Sequence, residues 1–373
     1  MRLSSLFHIL SSSAVATFLV VQSQSSNAFA LGSPFSKTIS SSLTTKTNLF
    51  KATATTTATT TTTSTTNANN NANNNANKKA KNNMHAPPKP ISVPPGTSPI
   101  EEQPKRNPIN ESCTILVIGA SRGIGLEFVK QCLEQGASVY ATHRSTQPPQ
   151  SLLDVQKQFP NHSSRKIRFL QMDLESETSI MDAAKTLGDD DNDDGGLLTH
   201  IIHSAGIYLP GTSLDGKARG PRKAAPPVTK EIMMKTFEIN TIAPLLIAQH
   251  FVPLLKSRSV SDGDGDEQKL LLPIISILSS KVGSVDDNGS GGAYAYRSSK
   301  SALNNIAKSL SIDLSNEARV LLLHPGYVRT DMTDGNGLID VDESVNGMLN
   351  AIEATDATVG FRFVDYKACL IPW

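Results

Sequence analysis

Tyr296 and Lys300 stand four residues apart in the run Ala293-Tyr294-Ala295-Tyr296-Arg297-Ser298-Ser299-Lys300. On a helix that spacing puts a phenol and an ammonium on one face, where a fixed positive charge lowers the tyrosine pKa from about 10 toward neutrality. A tyrosine tuned in this way can give a proton to a carbonyl oxygen or take one from an alcohol. Tyr294 competes for the role, but its partner four residues on is Ser298, which carries no charge. Alone, the pair reads first as two exposed helical residues, so its company matters. Upstream, an apolar run from Leu272 to Leu278 reads as a strand and leads into Ser279-Ser280-Lys281-Val282-Gly283. A hydroxyl at the C-terminal end of such a strand can bond a substrate oxygen in the crevice where α/β sheets bind ligands.

A second constellation precedes these. Thr114-Ile115-Leu116-Val117-Ile118 is a buried-strand pattern running into Gly119-Ala120-Ser121-Arg122-Gly123-Ile124-Gly125 and an amphipathic helix. Glycines at 119, 123 and 125 let the backbone, with Ser121 and Ile124 between them, approach a pyrophosphate at the helix N-terminus. The next strand, Ser138 to Thr142, ends in His143-Arg144-Ser145, with no acid to accept ribose hydroxyls. Arg144 and Arg122 offer cations for a 2′-phosphate instead, which predicts NADP(H) as the cofactor.

These motifs, with the G-x-x-x-G-x-G spacing and the loop His324-Pro325-Gly326-Tyr327-Val328-Arg329-Thr330, resemble the short-chain dehydrogenase/reductase family. The Tyr-Arg-Ser-Ser-Lys block, the loop after residue 323 and the C-terminal Phe363 to Trp373 are similar to its C-factor/sniffer-like carbonyl reductase branch. The resemblance covers residues 114 to 373 and selects Ser280, three before Gly283, over Ser279. It implies a tetrad of Asn240, Ser280, Tyr296 and Lys300, in which Asn240 holds a water linking the lysine to solvent and Lys300 also binds the nicotinamide ribose. It further implies Asp173 and Leu174 beside the adenine, Ala205 and Gly206 beneath the cofactor, and Pro325, Gly326, Val328 and Thr330 against the nicotinamide. The implied reaction is hydride transfer to a carbonyl carbon while Tyr296 protonates the oxygen, or the reverse oxidation of an alcohol. One departure stands out: His203-Ser204 replaces the family's Asn-Asn before Ala205-Gly206, removing two amides that brace sheet and cofactor.

The elements that must hold these residues are strands at 114–118, 138–142, 167–172, 199–204, 272–278 and 320–323, alternating with helices. That order predicts a single doubly wound Rossmann-type α/β domain over residues 109–373, with a parallel sheet of roughly seven strands. The chain of 373 residues leaves room for one such domain and an N-terminal extension. The first hundred residues hold 8 of the 35 Lys+Arg and none of the 34 Asp+Glu, so the remainder is acidic, with 27 against 34. An acidic domain argues against nucleic-acid binding through phosphate neutralisation.

Residues 1–30, with Arg2 and the apolar Ala14 to Val21, have a signal-peptide layout. Residues 31–108 pass from a Ser/Thr-rich, acid-free stretch to Thr/Ala, Asn/Ala and proline-rich tracts, the composition of a transit-like segment and a disordered linker. Together the two resemble the two-part plastid-targeting presequence of algae with secondary plastids; the alternative destination is the secretory pathway or endoplasmic reticulum. No apolar run reaches about 18 residues, so no stable membrane insertion is expected after processing. Cys113, Cys132 and Cys369 lack paired spacing, and the acidic runs 189–194 and 262–267 read as solvated loop insertions, so no metal site is expected. The short stretch from Met332 to Asp340 predicts an accessible pocket for varied carbonyls. The partner is therefore a small carbonyl or alcohol, and the resemblance implies pairing of helices around 240–255 and 296–314 in a homodimer. An NADP(H)-binding sensor with vestigial activity is the alternative, and a sugar-nucleotide epimerase is disfavoured by the glycine spacing.

Overall fold

The computed structural model describes residues 104–161, 166–190, 197–219, 222–261 and 268–373. The expected leader, transit-like segment and most of the linker lie outside them, as do residues 191–194 and 262–267 of the two acidic runs. Seven strands form one parallel sheet in the order β3-β2-β1-β4-β7-β8-β9. They are β1 (Thr114–Ile118), β2 (Ser138–His143), β3 (Ile167–Gln171), β4 (His200–His203), β7 (Ile274–Leu278), β8 (Arg319–His324) and β9 (Arg362–Asp365). Helices α1 (Gly123–Glu134), α2 (Gln150–Gln158), α3 (Glu177–Gly188), α4 (Lys230–Phe237), α5 (Ala243–Phe251), α6 (Tyr294–Asp313) and α7 (Val341–Glu353) provide the crossovers.

The apolar run of β1 is continuous because both faces of the sheet are covered. Ile115 and Val117 join an apolar cluster with Phe128, Val129 and Leu133 of α1 and Met348, Leu349 and Ile352 of α7. Leu116 and Ile118 point the other way, to Ile180 and Leu187 of α3, Ile247 and Phe251 of α5 and Leu303 of α6. Each such side chain removed from water contributes about 1.5–3 kcal/mol. The strand order reverses between β1 and β4, so the glycine turn after one and Ala205-Gly206 after the other open the crevice where this fold binds ligands.

Three sequence expectations are corrected. The strand expected from Leu272 begins at Ile274, because Pro273 has no N–H for the ladder and the preceding Gln268–Leu271 (β6) pairs antiparallel with Arg258–Ser261 (β5). The linker expected to reach residue 108 ends earlier. Asn107 is buried, the backbone N–H groups of Arg106 and Asn107 donate to the Glu353 carbonyl, and Ile109 N–H donates to the Glu353 carboxylate at 3.0 Å. Arg258 closes the join, its guanidinium donating to Asn107 Oδ1 (2.6 Å), Ser112 Oγ (2.8 Å), Asn110 Oδ1 (3.1 Å) and the Pro108 carbonyl. Asp190, taken as part of a solvated insertion, is held instead by the Tyr140 hydroxyl at 2.6 Å and Arg168 Nε at 3.1 Å. A buried tyrosine hydroxyl needs such an acceptor.

Candidate active site

β1 delivers the glycine turn, and close packing explains two of its glycines. Gly119 has φ +81°, and a Cβ there would lie 2.9 Å from Ala205 Cα; a Cβ on Gly125 would overlap the Gly119 carbonyl. Thr142 of β2 secures the turn by accepting the Gly119 N–H at 3.0 Å on its hydroxyl, and the Ser121 carbonyl accepts the Ser151 hydroxyl at 2.6 Å. Arg122 precedes α1 without capping it, and the first turn, which includes Gly123 and Ile124, carries no acid. The N–H groups at the start of this twelve-residue helix are thus left for an anionic group.

Arg122 and Arg144 both project into solvent at the crevice mouth. Arg122 pairs with Asp331 at 2.7 Å, while Arg144 lies 3.8 Å from Glu175. Asp173 and Leu174 follow β3. Asp173 Oδ1 accepts the Glu175 N–H at 3.1 Å, and Leu174 packs on the second apolar cluster together with Ala205. The loop after β8 holds Pro325, whose carbonyl accepts the Ser344 hydroxyl at 2.6 Å, Gly326 against Ile339 and Tyr366, and a buried Val328; its Thr330 comes to the glycine turn, where a Cβ on Gly123 would sit 3.8 Å from Thr330 Cγ2. The Thr330 carbonyl accepts the Thr333 N–H at 3.1 Å, and the Thr333 hydroxyl accepts the Thr330 N–H at 3.1 Å.

The reacting groups meet at the C-terminal ends of β4 and β7. Ser279 turns to Asn304, donating at 2.6 Å, while the Ser280 hydroxyl faces the Tyr296 phenol and acts to lower its pKa. Lys300 is buried one turn further along α6 and donates at 2.9 Å to the Leu278 carbonyl. Tyr294, the competing tyrosine, is exposed. Asn240 lies in a π turn, Glu238–Ile242, between α4 and α5. Pro244 has no N–H for the Asn240 carbonyl, and Ala243 donates five residues back to Glu238, so the helix widens there. The Asn240 amide then clamps Ile207, accepting its N–H at 2.8 Å and donating to its carbonyl at 2.9 Å, with a further bond to Ser299 Oγ at 3.2 Å. Gly206 lies between Asn240 and Lys300: a Cβ there would be 3.4 Å from both Asn240 Oδ1 and Lys300 Nζ.

The electrostatics differ from the sequence expectation of a tyrosine lowered by its lysine. Burial pushes Tyr296 up to about 12, the nearby Ser280 hydroxyl opposing it, and burial lowers Lys300 to about 8. Lys300 Nζ sits 5.8 Å from the tyrosine ring centre and is spent on a backbone carbonyl, so desolvation outweighs its charge. Tyr296 therefore keeps its proton at neutral pH, the form an acid needs. His203, at the departure from the family pattern, is buried with both ring nitrogens unpartnered and is pushed down to about 3 by burial and then by Lys300.

Tyr208, two residues beyond Gly206, was missed by sequence reading. Its ring meets that of Tyr296 edge-on at 5.1 Å and 68°. Only its position just after Ala205-Gly206 hinted that it would border the reacting tyrosine.

A doubly wound sheet with a serine, a tyrosine and a lysine converging beside its strand-order reversal defines a nucleotide-crevice oxidoreductase. The sequence profile described as short chain dehydrogenase matches residues 113–337, and the chain belongs to this family of enzymes. It is 37% identical over 142 residues to the C-signal protein of Myxococcus xanthus, covering 38% of this chain and 78% of that one. Among solved structures it is similar to the NADPH-bound carbonyl reductase from chicken fatty liver, at 30% identity and a TM-score of 0.55, covering 70% of this chain and 98% of that one. The carbonyl reductase Sniffer of D. melanogaster matches at 29% identity with a TM-score of 0.56, covering 70% and 99%.

Proposed function

We propose that the chain is an NADPH-dependent reductase that converts a ketone, aldehyde or quinone carbonyl to an alcohol. The carrying observation is the convergence of Ser280 and a Tyr296 phenol that retains its proton, with Lys300 buried 5.8 Å from the tyrosine ring centre. The crevice fits a dinucleotide: close-packed glycines, an uncapped helix start without acids, and Arg122 and Arg144 exposed at its rim. Gly119, Ser121, Gly123, Ile124 and Gly125 would hold its phosphates, Asp173 and Leu174 its adenine, and Ala205, Gly206, Pro325, Gly326, Val328 and Thr330 its nicotinamide half. A bound reduced nicotinamide supplies the hydride that the carbonyl carbon accepts.

The protein's own groups do the rest. Ser280 donates to the substrate oxygen and aligns it with the Tyr296 hydroxyl. As the carbonyl π pair moves to oxygen, Tyr296 passes its proton there and becomes phenolate, stabilised by the Lys300 ammonium. Asn240 acts as a positioning residue, fixing the Ile207 backbone and the Ser299 turn of α6. Tyr208 closes one side of the phenol from water.

The leader is proposed, on its sequence alone, to direct the chain to a plastid. A homodimer through α5 and α6 is likewise proposed, in keeping with the exposed Leu245 and Ile312 on those helices. The deciding experiment is NADPH consumption by the full-length chain on a panel of quinones, aldehydes and ketones, beside Tyr296→Phe and with NADH substituted. Turnover with NADPH that collapses in the variant supports the reading. NADPH binding without turnover on any substrate favours a cofactor-binding sensor.

A further inference from the structure

Tyr208 also borders a cavity of about 290 Å³ walled by two loops, none of whose lining residues is Asn240, Ser280, Tyr296 or Lys300. Its walls include Tyr208, Leu214, Arg219, Arg222, Lys223 and Tyr294. Lys217 also lines it, making four basic side chains and no acidic one among the described lining residues. The loop is built rather than draped. Arg219 and Arg222 exchange backbone hydrogen bonds at 3.2 and 3.1 Å, Ser213 Oγ donates to the Ala225 carbonyl at 2.6 Å, and Ala293 N–H ties the facing loop to the Thr212 carbonyl at 2.8 Å.

The cations are not equally engaged. Asp215 takes Arg219 in a two-pronged pair at 2.5 and 2.7 Å and has Lys217 at 4.0 Å. Arg222 and Lys223 have no carboxylate partner among the described residues, and Arg222 Nε is buried without an acceptor. Gly291 and Gly292 hold left-handed angles, φ +60° and +67°, under the Arg222 guanidinium, and a Cβ on Gly292 would overlap its Nη1. The two glycines thus make room for a guanidinium that has no acid to meet. A planar fork left without an acceptor in a cavity suits an oxyanion, which it can hold through two parallel bonds. The aromatic edge of the same cavity, Tyr208, is in contact with Tyr296, so the cavity adjoins the reacting tyrosine.

We propose that this cavity seats an anionic group, carboxylate or phosphate, carried by the carbonyl substrate, with Arg222 as its main ligand and Lys223 in support. The enzyme thereby selects acidic carbonyl compounds over neutral ones of equal size. This rests on the reductase reading of the same site and narrows its substrate class.

The test compares kcat/KM of the full-length chain with NADPH for para-formylbenzoate, para-formylphenyl phosphate and methyl para-formylbenzoate. Both anions are expected to exceed the neutral ester by about tenfold, mainly through KM, because a charge-assisted pair to the guanidinium is made only by the anions. Added salt should erode the advantage. Arg222→Gln brings the anion-to-ester ratio close to one, and the exposed Lys223→Gln lowers it severalfold. The better of the two anions identifies the group accepted. Equal rates for anion and ester, or a preference that survives both substitutions, overturns the proposal. If none of these aldehydes turns over, the reductase reading is judged on the wider carbonyl panel, and calorimetric titration of the NADPH complex with para-(hydroxymethyl)benzoate decides this one. Binding that Arg222→Gln abolishes supports it, and absence of binding overturns it.

Discussion

Lys300 Nζ donates its 2.9 Å hydrogen bond to the Leu278 carbonyl, the last residue of β7, and faces the Tyr296 ring from 5.8 Å. The ammonium is thus anchored to the sheet beneath the phenol, and burial lowers it to about 8 while the phenol stands near 12. The two groups therefore lose their protons in the order lysine, then tyrosine. Carbonyl reduction should fall as pH rises through about 8, because the phenolate formed at each turnover loses its cation. Stability has the opposite sign: between about 8 and 10.5 the unfolded chain binds a proton that folded Lys300 does not, so this residue's contribution rises with pH. A kcat profile on the most active carbonyl, with Lys300→Met beside it, checks this. The variant should be slower by about a hundredfold and lack the alkaline limb.

Removing the phenolic hydroxyl should separate chemistry from binding. Tyr296→Phe is expected to lower kcat by about two to four orders of magnitude. NADPH affinity, measured by fluorescence titration, should change by less than about threefold, because most of the proposed cofactor contacts come from other residues than Tyr296. Equal loss of both would assign Tyr296 to binding.

His203 offers an acid test. Its folded pKa is pushed down to about 3 from 6.5, so its stabilising neutral form is intact above about 6.5 and is lost progressively as pH falls toward 3. Between pH 7 and 4 the cost is about 2–3 kcal/mol. His203→Asn, which restores an amide at this position, should show a shallower fall in urea midpoint over that range. Parallel curves for the two proteins would assign the acid sensitivity elsewhere.

Gly125 and Gly289 make a matched pair. A methyl at Gly125 collides with the Gly119 carbonyl, whereas Gly289 has open space around it. Gly125→Ala should weaken NADPH binding by at least about tenfold and lower Tm, at a cost of about 1–3 kcal/mol or more for forced overpacking. Gly289→Ala should leave both within about 0.5 kcal/mol. Calorimetry and cofactor titration read the two effects.

Cofactor choice should depend on the rim arginines. Arg144→Ala, which removes a cation only loosely held by Glu175, is expected to lower the NADPH-over-NADH ratio of kcat/KM by about tenfold. Asp331→Asn frees Arg122 from its 2.7 Å partner and should tighten NADPH but not NADH. No change in either ratio would remove these residues from 2′-phosphate recognition.

The amino-acid sequence by itself carried the parallel α/β fold, because buried strands alternating with amphipathic helices leave few other ways to cover both faces of a sheet. It also carried the Tyr296–Lys300 spacing and the glycine turn, which are set by local backbone geometry. Other features belong to the tertiary structure. The docking of residues 104–108 on Arg258 and Glu353 joins segments more than a hundred residues apart, and its polar residues look like linker until their partners are known. The π turn at Asn240 needs Pro244 to be placed within a continuing helix rather than at its start. The rise of the Tyr296 pKa is a balance between burial and charge, and spacing reports only the charge. Position three before Gly283 already favoured Ser280 over Ser279, but that Ser279 is engaged by Asn304 shows only once α6 is packed on the sheet. Arg222 and Tyr208 acquire meaning only where two loops, distant in sequence, close on one cavity, since desolvation and partnering are properties of the packed chain.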